Sequence, residues 1–197
     1  MKISEHLESL SLISGKKLKE IFDELYQDIL VYPYESPSTF VRDMWSRYTS
    51  ENPSLNGKVF EAILATIFYR EGIVPMFVQA HLAFVPNVEF DFVAYSKEHG
   101  PVVLSAKTSL RERYKQADLE GMMLRQVHRK SKSYLITLHE AEAKNVNNKI
   151  AIGEVLGLDD VVVASNSCFD DLIEELKTYN YYLPEKISVI SGSKVIT

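Results

Sequence analysis

The stretch that decides the fold runs from Val88 to Glu120 and reads VEFDFVAYSKEHGPVVLSAKTSLRERYKQADLE. It opens with an apolar run that ends in an acid, Val88-Glu89-Phe90-Asp91, and continues in strand-forming residues to Tyr95. His99-Gly100-Pro101 then turns the chain, and Val102 to Thr108 is a second strand carrying Ser105-Ala106-Lys107. Side chains two apart share a strand face, so Ser105 and Lys107 project together while Ala106 points the opposite way, into the core. Asp91, on the neighbouring strand, meets them if the register allows. Beyond Lys107 come Arg111-Glu112-Arg113, and then Glu120, on a helix expected from Tyr114 to about Lys130 with Leu119, Met123 and Val127 inward.

Outward from this stretch the chain reads as helices, then strands, then an alternation of both. Val74 to Val85, set off by Pro86-Asn87, completes a three-stranded meander. Ahead of it three amphipathic helices are expected: one over residues 16–30, one capped by Ser38 or Thr39, and one capped by Asn56 with Phe60, Ile63, Leu64, Ile67 and Phe68 inward. Behind it, Tyr134 to Leu138 and Val161 to Ala164 are short apolar runs typical of buried strands, joined by a connection. A last helix spans Phe169 to about Tyr179. The order predicts an α/β protein with a mixed central sheet flanked by helices. Its 197 residues fit one domain, with a helical N-terminal part over 1–55 and a core over about 56–180.

Composition narrows the function. The N-terminus is charged from the start, so neither a secretory signal nor a membrane span is expected. The lone Cys168 favours a reducing cytoplasm. The net charge of −5 argues mildly against a nonspecific nucleic-acid binder, yet Lys107 to Lys132 holds eight Lys/Arg against three Asp/Glu. A basic segment on an acidic body can hold phosphates, because the local field along the contact path decides. A solvated helix face is the other reading of that segment.

The residues at the strand ends suit phosphodiester chemistry, which needs a hard cation on oxygen ligands, a positioned water and stabilised phosphate charge. Asp91 is placed to bind Mg²⁺, and Lys107 to orient the attacking water and neutralise phosphate. One carboxylate holds Mg²⁺ weakly, and Ser105 cannot supply a second. Glu120, on the following helix, can reach into the space that the small serine leaves. The backbone carbonyl of Ala106 is the expected third ligand. Arg111, Glu112 and Arg113 match base edges in the major groove: an arginine fork fits guanine N7 and O6, and a glutamate accepts from cytosine N4. Lys115 joins them as a DNA-binding residue.

By these residues the chain resembles the PD-(D/E)XK nucleases, and more narrowly the EcoRII/PspGI-like branch of type II restriction endonucleases. That branch places a small residue before the lysine and moves the second acid onto the next helix, a pattern matched by Ser105, Ala106, Lys107 and Glu120. Its Arg-Glu-Arg is matched by Arg111, Glu112 and Arg113. The chain departs at Pro86-Asn87, where the literal Pro-Asp pair is absent and the acid comes later, at Asp91. The resemblance covers about residues 56–165 and implies Mg²⁺-dependent cleavage of double-stranded DNA at a short site containing CC and GG, of CCNGG or CCWGG type. It also implies 5′-phosphate ends and a water-contacting glutamate on the helix before the meander, which would be Glu61. Relatives in this branch flip bases into pockets of an arginine and an aromatic; Arg42, Trp45, Arg47 and Tyr48 offer both, without reproducing the spacing. Alternatives are a structure-selective repair or junction nuclease on the same fold, and a DNA-binding module without catalysis. A homodimer on a symmetric site and a monomer nicking each strand in turn both stay open.

Overall fold

Pro53 at the first position of a helix, with Asn52 as its cap, starts the element on which the sheet rests. The Asn52 side chain accepts the Leu55 N–H at 3.1 Å, and proline costs nothing where the N–H has no helical partner. The helix therefore begins before Asn56, the cap expected from sequence. In the computed structural model, which describes residues 2–83, 85, 87–184 and 190–196 (the last stretch as backbone through 195), it is the fourth of seven helices. The described elements are α1 (Ile3–Ser9), α2 (Lys16–Leu25), α3 (Pro37–Ser46), α4 (Pro53–Arg70), β1 (Met76–Leu82), β2 (Phe90–Ser96), β3 (Gly100–Lys107), α5 (Arg113–Val127), β4 (Lys132–Thr137), α6 (Glu140–Ala151), β5 (Asp160–Val163), α7 (Ser167–Lys177) and β6 (Ile190–Ile196). Pro86 of the expected Pro86-Asn87 turn and Phe84 of the strand before it lie outside the described residues.

The sheet is mixed and six-stranded, in the order β5-β4-β3-β2-β1-β6. The meander β1-β2-β3 is antiparallel, while β4 and β5 add to β3 in parallel, each after a helix. One face packs against α4 and α7, with Phe68 edge-on to Phe92 and within ring contact of Phe169. Phe60, Ile63, Leu64, Ile67 and Phe68 of α4 are all fully buried, each removing about 1.5–3 kcal/mol of unfavourable exposure. The same core takes in Leu7, Phe22 and Phe40 from α1 to α3. The other face carries α5 and α6.

Several expectations are corrected. In α5 the inward residues are Ala117, Gly121 and Leu124, whereas Leu119 is 58% and Val127 40% exposed. The cause is close backbone packing: a Cβ on Gly121 would lie 2.2 Å from the Gly157 carbonyl oxygen, so the helix presents its smallest residues inward. The expected connection between β4 and β5 contains α6, and β6 pairs with β1 at the sheet edge, where no strand was expected. No helix among the described residues is long and apolar enough to cross a membrane.

Candidate active site

The β2–β3 ladder places Phe92 opposite Leu104 as its last pair, which leaves Asp91 beside the end of β3. There its Oδ2 accepts two donors, the Ala106 N–H at 2.7 Å and the Lys107 Nζ at 2.7 Å. The strand thus hands an N–H that the ladder no longer uses to the acid, and the acid fixes the lysine. Both side chains are mostly shielded, with Asp91 15% and Lys107 24% exposed, so their attraction acts at reduced screening. Ser105, on the Lys107 face, is buried.

A distortion in the sheet sets this acid. Val78 pairs with Phe92 and Ala80 with Phe90, which puts Gln79 opposite Asp91, with Gln79 at φ +51°. Positive φ is uncommon for a residue with a Cβ. Its consequence is visible in the packing. Residues two apart in a strand should share a face, yet Val78 and Phe92 pack under α4 while Ala80 and Phe90 pack on the α5 side with Leu124. Both strands change face at Gln79 and Asp91, so Asp91 turns along the sheet toward β3 instead of into either core. Sequence reading missed Gln79, since a glutamine between Val78 and Ala80 carries no signal of a left-handed backbone.

Two further carboxylates face this pair from the flanking helices. Glu61 of α4 is half-buried, and its carboxyl is pushed up to about 7. Burial is the main cause and the Asp91 charge the next, opposed by Lys107, Lys58 and a hydrogen bond from the Gln79 side chain. Glu120 of α5 is also raised by burial, while a Gln116 hydrogen bond at 2.8 Å and the Lys107 charge work against it. Glu61 and Glu120 therefore each feel both Asp91 and Lys107. An open cleft of about 700 Å³ runs past Glu61 and Lys107, lined among others by Gly57, Ala106, Arg113 and Gln116.

These carboxylates suit a hard cation. Among the described residues, no three His, Cys, Asp or Glu side chains stand close enough to form a metal cluster as they lie. Nevertheless, acids held near one another at a cost in burial and repulsion are the donor set that a divalent ion relieves. Asp91 already spends one oxygen on Lys107 and Ala106, so its other oxygen is the one such an ion would use.

Arg111, Glu112 and Arg113 lie exposed at the turn into α5, Arg111 at φ +37°. The turn is pinned by the fully buried Leu110, whose N–H goes to a Glu142 carboxylate oxygen of α6 at 2.6 Å. Glu112 forms an ion pair with Lys115, whose ammonium holds the Glu112 carboxyl below the usual range. Arg113 reaches the cleft. Arg42, Trp45, Arg47 and Tyr48 do not line it. Arg47 grips both Asp28 oxygens, at 2.5 and 3.1 Å, and lies over the Tyr32 ring. Trp45 packs edge-on to Phe60, Tyr48 is buried, and Arg42 is exposed on α3.

A meander with parallel strands added to one side and helices on both faces is the core of the restriction-endonuclease-like fold. A solved complex of the restriction endonuclease PspGI with substrate DNA shares it with a TM-score of 0.56 and 18% sequence identity, over 87% of this chain and 82% of that one. At that identity the likeness is one of fold. A structure of metal-depleted Ecl18kI with uncleaved, modified DNA matches at 20% identity and a TM-score of 0.38, over 87% of this chain and 60% of that one. No protein-family model and no curated protein matches the sequence.

Proposed function

We propose that this protein is a Mg²⁺-dependent, site-specific DNA endonuclease of the EcoRII/PspGI-like type, cutting double-stranded DNA at a short site that contains CC and GG. The observation that carries the reading is the Asp91–Lys107 pair, whose lysine lines the cleft, with the charges of both felt by Glu61 and Glu120 on two helices. Asp91, Glu120 and the Ala106 carbonyl would hold the ion. When bound, Mg²⁺ supplies positive charge against the phosphate and makes water a better nucleophile. Lys107 orients the attacking water by hydrogen bonding and balances the negative charge that grows on the phosphate oxygens. Glu61 holds water on the α4 side of the cleft. In-line attack at phosphorus breaks the bond to the 3′ oxygen, giving 5′-phosphate and 3′-hydroxyl ends.

Arg111, Glu112, Arg113 and Lys115 would meet the DNA at the same turn, the arginines forking to guanine and Glu112 accepting from cytosine N4. For that, Glu112 must exchange Lys115 for the bases, leaving Lys115 to a phosphate. Arg42, exposed on α3, is the most accessible of these four residues for DNA; Trp45, Arg47 and Tyr48 would first have to leave internal contacts. A symmetric site calls for two copies of the chain on the duplex or for two successive nicks by one. The cytoplasm, where a restriction enzyme meets incoming DNA, is the compartment that this reading implies.

Plasmid cleavage with Mg²⁺ tests it. The wild type should linearise plasmids that carry CC/GG sites, and Lys107→Ala should lose at least ~100-fold in rate, as expected for loss of a charge-stabilising group. Undiminished cleavage by Lys107→Ala overturns the role given to the lysine. Replacing either CC or GG by AT should abolish cutting, at about 1–3 kcal/mol per mismatched pair. Equal cutting of AT-substituted sites overturns the assigned recognition.

A further inference from the structure

The cleft does not end at Glu61. It shares that residue with a hollow of about 130 Å³, and shares Asn52 and Ser54 with another of about 330 Å³. Lys58 lines both smaller hollows. Their far wall is the loop between α1 and α2, from Ser11 to Gly15, together with Lys16 and Lys17 at the start of α2. One groove therefore leads from Lys107, over the exposed first turn of α4, to the α1–α2 loop.

Charge along this path is one-sided. Lys16, Lys17, Lys58, Lys107 and Arg113 line the three hollows against one carboxylate, Glu61, in a chain whose net charge is −5. The remaining lysine of α2 is neutralised: Lys19 holds Glu8 at 2.5 Å. Lys17, by contrast, is exposed and meets no carboxylate among the described residues, and Lys16 touches Glu20 only at 4.0 Å. The cleft end of the groove is lined mainly by polar groups and its far end carries Lys16, Lys17 and Lys58, which suits an extended polyanion better than an apolar peptide or a single small ligand.

We infer that this groove carries the sugar–phosphate backbone of DNA flanking the recognised site, with Lys16, Lys17 and Lys58 as its phosphate contacts. The inference rests on the nuclease reading, because the groove is continuous with the cleft proposed to hold the scissile phosphate. It assigns the N-terminal helices a part in binding, separate from cleavage at Lys107 and base reading at Arg111 to Arg113. Backbone contacts of this kind bring no sequence preference, but each adds about 0.9 to the slope of log affinity against log salt.

The test compares affinity for two duplexes with the same central CC/GG site, about one and about three helical turns long at ~10 bp per turn. Binding is measured with Ca²⁺ in place of Mg²⁺ over a range of salt. The wild type should prefer the longer duplex by roughly tenfold. Lys16→Ala/Lys17→Ala should lose most of that preference, with a salt slope on the longer duplex lower by about 2. A double variant that keeps both the preference and the slope of the wild type overturns the inference, as does a wild type that binds both lengths equally. A folded wild type that binds neither duplex overturns the nuclease reading itself, and this one with it. Both lysines are exposed, so an unchanged thermal midpoint is expected; if the double variant is unfolded, Lys17→Gln serves the same measurement.

Discussion

Glu61 shows most directly how a single residue can be set for function at the expense of stability. Its carboxyl is pushed up to about 7, above the ~4.3 of a free glutamate, first by burial and then by Asp91. The folded state therefore binds more protons than the unfolded chain between those values. By linkage, the stability contributed by Glu61 is full below about pH 4.3 and falls as pH rises through 7. Glu61→Gln should accordingly raise the thermal midpoint at pH 8 and leave it unchanged near pH 4, while cleavage is impaired. Midpoints that match the wild type at pH 8 would remove the burial argument. Adding Mg²⁺ should raise the wild-type midpoint at pH 8 more than that of the variant, since a cation relieves the repulsion that the amide lacks. At this scale Asp91, Lys107 and Glu120 were legible in the sequence, because they lie within one strand–turn–strand–helix unit whose spacing is local. Gln79 was not. Its left-handed backbone goes with the face change of two paired strands, and no local residue preference announces it.

At the scale of elements, α5 carries Glu120 and follows the Arg-Glu-Arg turn, so under the proposed function its seating matters to cleavage and recognition together. It is clamped from behind by the segment at Leu156 and Gly157. The Asp118 carboxylate accepts the N–H groups of Leu156 at 2.9 Å and Gly157 at 2.5 Å, and Arg125 donates to the Leu156 carbonyl at 2.6 Å. Gly121 sits against the Gly157 carbonyl with no room for a methyl group. Gly121→Ala should thus cost about 1–3 kcal/mol in chemical denaturation, and should slow cleavage by shifting Glu120. Leu119→Ala, at an exposed position on the same helix, should change stability by less than about 0.5 kcal/mol. Comparable losses in the two variants would contradict the observed rotation of the helix. Apolar periodicity placed Leu119 and Val127 inward. Backbone contact between two glycines overrode it, and a sequence pattern that scores apolar side chains is blind to such a contact. Helix α6 escaped notice for a related reason: only Ala143 and Val146 of its residues are buried, too few for a visible stripe.

Across the whole molecule, β6 returns the end of the chain to the sheet and pairs with β1 from Met76 to Leu82. Without it β1 would be an uncovered edge, with a row of free N–H and C=O groups open to another chain. A chain ending at Pro184 should therefore melt at lower temperature and associate on concentration, detected by light scattering. A truncated chain as stable and as monodisperse as the full one would show that β6 contributes nothing. The strand was not legible because Ser191, Gly192 and Ser193 interrupt its apolar alternation. Its pairing depends on a partner more than a hundred residues earlier.

Sequence alone determined the meander, the apolar length of α4, the two later strands with the helix between Lys107 and the first of them, and the spacing of an acid, a lysine and a second acid. Each of these is written in short-range periodicity or in the identity of neighbouring residues. Tertiary structure decided which side chains meet: that Asp91 turns along the sheet to hold Lys107, that Glu61 is pressed into the same field, that α5 rotates onto Gly157, and that the α1–α2 loop extends the cleft. The physical reason is that contact, desolvation and charge coupling depend on distances in space, and those are set only when strand register and helix packing bring remote parts of the chain together.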